Sequence, residues 1–193
     1  MQRVYRLDCR ADASIAFRIE MEFPFADFDG TPRKRDWRPP PVEVSGISKK
    51  PKDFVSFRLT IPCVSARAAE ALAPLIEPYC EILEFAHYKK WTYYVFNVTE
   101  VVDCVDWEMS DYHRSKGSGV ITNIWRCQFD PPKIPQSPIF KVLPRGEVYV
   151  QQSFVDIVLE NILTNVMFTD PNVVQLPLAL RGLDRNVVPY VAL

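Results

Sequence analysis

Apolar residues recur at every second position across residues 16–23, with Phe17, Ile19, Met21 and Phe23 on one parity and Arg18, Glu20 and Glu22 on the other. That period belongs to a strand with one buried and one wet face. Trp91–Val98 is instead aromatic or β-branched on both parities, which predicts a central strand buried on both faces. Strand-like composition also marks residues 2–7, 54–64, 81–85, 120–129, 139–143, 147–150 and 166–168. Two stretches carry helical spacing. In Ala66–Ile76 the residues Ala68, Ala69, Leu72, Leu75 and Ile76 share a face, Ser65 supplies an N-cap and Pro78 a stop. Residues 154–163 form the second, with Ser153 as the expected cap. The order strand, helix, strand therefore occurs twice, over 61–85 and again up to residue 168. The pattern predicts an α+β chain: a mixed or antiparallel sheet with two main helices packed on it, in a single domain spanning 1–193.

Between these elements the texture changes. Residues 24–52 are proline-rich, hold the basic clusters Arg33-Lys34-Arg35 and Lys49-Lys50, and are punctuated by Phe25, Phe28, Trp37 and Val42. This predicts an irregular wrap pinned over the core by its apolar anchors. Residues 107–118 read as a polar excursion. The segment 171–193, with Leu176, Leu178, Leu180, Val187, Val188, Tyr190 and Val191, is too apolar for a solvated tail, and is expected to dock or to support a homodimer.

Composition narrows the chemistry. The chain has 193 residues, 48% of them hydrophobic, and a formal net charge of −1, so nothing general favours nucleic acid or membrane binding. No apolar run marks a signal peptide or a span, which points to the cytoplasm. Cys9, Cys63, Cys80, Cys104 and Cys127 are odd in number and form no CxxC pair, so they are expected to be reduced and mostly buried rather than a disulfide or zinc framework. His87 and His113 are expected at the surface. With 6 glycines and neither GxxxxGK[ST] nor GxGxxG, no phosphate cradle is indicated, and no catalytic residue or cofactor is expected.

Charge is unevenly spread. Lys and Arg against Asp and Glu number 11 and 8 over residues 1–52, 4 and 10 over 53–113, and 8 and 6 over 114–193. The acidic middle ends in a rim: Glu100, Asp103, Asp106, Glu108 and Asp111, with Trp107. Asp103 and Asp106, three apart, admit three readings: a capped turn, a docking surface for a basic protein, or the carboxylates of a small metal-dependent hydrolase with further ligands from Glu100, Glu108 and Asp111. The basic loop at 33–38 is the rival contact surface.

Several pieces of the chain, taken in order, resemble one family. They are Phe28-Asp29-Gly30 with Trp37, Pro39, Pro40 and Val42 downstream; Lys52-Asp53-Phe54; Val64-Ser65 opening the helix to Leu72; Tyr93-Tyr94-Val95-Phe96-Asn97-Val98; Val102-Asp103-Cys104-Val105-Asp106 with Ser110; and Val148-Tyr149-Val150 with Ser153, Phe154 and Phe168. Together they resemble Imm11, a bacterial immunity-protein domain of polymorphic toxin systems. The resemblance implies a non-catalytic cytoplasmic protein that binds and neutralises a cognate toxin, and it carries over no catalytic residues; an adaptor that escorts the toxin is a rival reading. The segment 173–193 is longer and more apolar than the family pattern.

Overall fold

A computed structural model describes residues 3–9, 15–19, 28–46, 52–58, 61–173 and 191–192. Two units of the same plan share one core. The first runs β4 (Phe54–Arg58), β5 (Ile61–Ser65), α1 (Ala66–Ile76), β6 (Cys80–Tyr88) and β7 (Trp91–Val98), in the sheet order β4-β5-β7-β6. Because β5 and β6 both pair antiparallel with β7, they run parallel to each other, with α1 as the crossover. The second runs β10 (Ile139–Val142), β11 (Glu147–Gln151), α2 (Gln152–Glu160) and β12 (Val166–Thr169). Its inserted strand comes from the other end of the chain: β1 (Val4–Cys9) lies between β11 and β12, antiparallel to both, where β7 lies in the first unit. The two-residue β13 (Val191–Ala192) pairs with β12.

The expected strands and both helices are present, but in several sheets rather than one. Every ladder between named strands is antiparallel; a single isolated parallel bridge joins Val101 to Lys141. The shared core takes the inner faces of both sheets and both helices: Phe54, Val64, Phe96 and Val98 from the first unit, Leu7, Val148, Val150 and Phe168 from the second, with Ala68, Leu72 and Ile76 of α1 and Phe154 and Val158 of α2. Each fully buried large side chain contributes roughly 1.5–3 kcal/mol from burial.

The outer faces have separate covers. Over the first sheet lie the hairpin β2 (Ile15–Ile19) and β3 (Val42–Gly46), with Phe28 and Trp37. Phe17 meets Phe85 and Tyr93 edge-on, each at 5.4 Å between centroids. The two covers explain why β7 is apolar on both parities: Tyr93 and Val95 face this layer, Phe96 and Val98 the helices. Over the second sheet lies the segment 101–130, including β8 (Asp111–Arg114) and β9 (Ile121–Arg126), with Cys104, Val105, Ile121, Ile124 and Phe129 against Phe140 and Tyr149.

Three local expectations are corrected. Helix α2 starts two residues early, at Gln152, behind Gln151, whose side chain makes no capping bond, so Ser153 lies inside the first turn and not at the cap; β11 runs straight into the helix. The polar excursion contains strand β8, unread because three of its four side chains are exposed. Within the proline-rich segment, Val42–Gly46 is strand rather than irregular chain; its half-buried Val42 and Val44 alternate with exposed Glu43 and Ser45. Met21, Phe23, Phe25, residues 47–51 and residues 174–190 lie outside the described residues.

Candidate functional site

The signature-like residues form the framework of the fold. Gly30 has φ +109°, and a Cβ there would stand 2.2 Å from Val101 Cγ2, so only glycine fits the turn under that valine. The carbonyl of Phe28, two residues earlier, accepts from the buried Lys141 Nζ at 2.6 Å. Lys141 also joins the post-β7 segment through its backbone, donating to Glu100 and accepting from Val102. Asn97 donates Nδ2 to the Thr31 carbonyl and to Glu81 Oε2. Glu81 in turn accepts from the backbone amides of Arg33 and Lys34, at 2.6 and 3.0 Å. Burial pushes the Glu81 carboxyl up, but these bonds outweigh it and hold it below the usual range. Together with Trp37 Nε1 donating to the Glu84 carbonyl, they tie the basic loop to β6.

Asp53 organises a second knot. It accepts from Ser65 Oγ, from Thr164 N and Oγ1, and from Arg67 through Nε and Nη2 at 3.1 and 2.6 Å. Burial works against the carboxylate here too, and the bonds from Arg67, Thr164 and Ser65 win, holding the group below its ordinary value. The pair bridges two helix ends. Asp53 sits at the N-terminus of α1, where Ser65 Oγ also accepts from Ala68 N, and Arg67 donates to the carbonyls of Asn161 and Ile162 beyond the C-terminus of α2. Each charge faces the helix pole of opposite sign.

The acidic rim is less acidic than its sequence. Asp106 caps a turn, Oδ1 accepting from Glu108 N and Met109 N at 3.1 Å each, and Ser110 Oγ closes it by donating to the Asp106 carbonyl. Asp111 is paired with Arg126 at 2.9 Å. Lys133 pairs with Asp130 at 3.1 Å, and Asp103 and Asp106 add to the field that raises its pKa. Glu100 is half-buried, and its backbone lies along β10. Trp107 packs edge-on against Tyr112, leaving Asp103, Glu108 and Met109 exposed; Met109 is 58% exposed. Asp130, Lys133 and Arg126 were not among the sequence candidates; they reach the rim from the far arm of the segment.

Other reactive groups are occupied or deep. Exposed His87 contacts Glu84 and Thr92, and exposed His113 contacts Thr122. Four thiols are buried and Cys9 is half-buried; burial pushes Cys104 up to about 11 and Cys9 and Cys127 to about 12, far from the reactive thiolate range. Buried Glu147 accepts from the Tyr149 hydroxyl, and Arg6 pairs with Asp8. Among the described residues no three His, Cys, Asp or Glu side chains are grouped to hold a metal ion, and no helix is long and apolar enough to cross a membrane.

A family model described as the immunity protein family Imm11 matches residues 19–173. The chain belongs to the Imm11 family. No curated protein matches the sequence. The Imm11 match spans both units except β1, the middle strand of the second sheet, which precedes it, and β13, which follows it. Within the matched span, Gly30, Asp53, Asn97 and Asp106 all serve to fix loops to neighbouring strands or turns.

Proposed function

We propose that this Imm11 chain is a cytoplasmic, non-enzymatic immunity protein that neutralises a cognate toxin by direct contact. The observation that carries this reading is that, within the span matched by the family, Gly30, Asp53, Asn97 and Asp106 hold loops in place rather than converge on a reactive centre. The rim supplies the toxin-facing charge: exposed Asp103 and Glu108, with Asp111 and Glu100 at its ends and Asp106 shaping the turn that presents Trp107 and Met109. Such charge speeds encounter with a basic partner and fixes its orientation more than it deepens affinity. The segment 24–52 belongs to this reading as a wrap over the first sheet. Self-association through residues 171–193 is a further part of it, read out by light scattering.

The test uses the product of the reading frame immediately upstream. Co-expression with this chain should restore growth, and the purified pair should bind. The double variant Asp103→Lys, Glu108→Lys should slow association about tenfold at low salt, with the difference shrinking at high salt. Unchanged association at both salt levels removes the rim. Binding that leaves the toxin active would make the chain an adaptor instead.

A further inference from the structure

The most exposed large apolar side chain of the described residues is Ile162, at 78%. It occupies the position after the C-cap of α2 with φ +51°, a left-handed conformation that belongs to glycine or asparagine and that a β-branched residue adopts only when its surroundings impose it. Those surroundings are complete. Ile162 N donates to the Leu159 carbonyl and Leu163 N to that of Val158, buried Leu163 plugs the turn from below, and Arg67, held by Asp53, clamps the carbonyls of Asn161 and Ile162. Thr164 is fixed to the same Asp53. The turn therefore cannot fold its isoleucine inward, and Leu159, 43% exposed, stands one turn earlier on the helix.

Apart from the paired Arg67, the exposed charge on the two helices has one sign. Exposed Glu70 of α1 and exposed Asp156 and Glu160 of α2 flank this end of the helix pair, and the sole basic residue in α1, α2 and the turn at 161–165 is Arg67, whose charge is committed to Asp53. The rim, by contrast, contains Lys133 and Arg126. We propose that Leu159 and Ile162 form a rigid apolar knob, collared by Glu70, Asp156 and Glu160, that enters a slot on a basic surface of the toxin as a second contact beside the rim. A preorganised apolar anchor inside a charged collar is the arrangement that concentrates binding energy in a few side chains. The assignment rests on the toxin-binding reading above.

The experiment is interferometry with the full product of the upstream reading frame immobilised. Ile162→Asn retains a residue suited to the left-handed turn and so keeps the fold, which thermal unfolding verifies. It should raise the dissociation rate about tenfold or more with little change in association. Glu160→Lys should slow association and weaken its salt dependence. If the native chain binds and Ile162→Asn dissociates at the native rate, the knob is overturned while toxin binding stands. If the native chain does not bind at all, the toxin reading fails and the knob falls with it.

Discussion

Replacing Lys141 by methionine removes a charge while keeping the length of the side chain. Lys141 is 0% exposed, and its ammonium meets the Phe28 carbonyl. Burial pulls it down from 10.5 to about 8, against smaller opposing effects of Cys80 and Asp29. The unfolded chain keeps this proton up to its ordinary value, whereas the native chain releases it near 8. Between those values the unfolded state binds more protons, so the Lys141 contribution stabilises the native state progressively as pH rises, by about 3 kcal/mol in all and by roughly 1 kcal/mol between pH 7 and 9. The buried thiols act in the opposite sense, since burial raises them and the unfolded chain loses their protons first. They cancel when variant and native protein are compared at the same pH. Urea unfolding of both at pH 7 and pH 9 should therefore show the native protein gaining roughly 1 kcal/mol on Lys141→Met across that interval. A difference that stays constant would refute the claim that this ammonium is held in a desolvated site.

Gly30→Ala should cost about 2 kcal/mol or more, because it adds both a left-handed alanine and an overlap with Val101. Adding Val101→Ala should recover the steric part alone, measurable as a double-mutant cycle in urea. Asp53→Ala strips the acceptor from Ser65, Arg67 and Thr164 and should cost about 3 kcal/mol at neutral pH. Since the Asp53 carboxyl is held below its ordinary range, its contribution is full above the unfolded value and is lost as pH falls through the lower folded one. The stability curves of native and variant protein should converge in acid; a gap that persists there contradicts the assigned network.

Elements with a local cause were legible in the sequence. Ser65 caps α1 where expected because its oxygen needs only an amide three residues away. The double-sided apolar pattern of β7 announced two covering layers. What could not be read depends on distant partners: the Asp111–Arg126 pair spans 15 residues and the Lys141–Phe28 bond 113, and neither leaves a local signal. The spacing of Asp103 and Asp106 admits a capped turn, a docking surface or a metal pair, and the amides that claim Asp106 for the capped turn become visible only in the folded chain. Ile162 is the sharpest case, because an isoleucine argues against the conformation it adopts.

The borrowed middle strand of the second sheet also orders events in time. The first unit is complete once residue 98 has left the ribosome, and its pairings are between neighbours in sequence. β1 is made first, yet its partners β11 and β12 are among the last strands to appear; Tyr5 bonds Gln152 across 147 residues. Closure of the second sheet is thus a high-contact-order step that waits for β11 and β12. A circular permutant opened after β7, with residues 1 and 193 joined by a flexible linker, would place β1 downstream of β12 and β13, much as β7 follows β6. It should fold faster than the natural arrangement while reaching the same native structure.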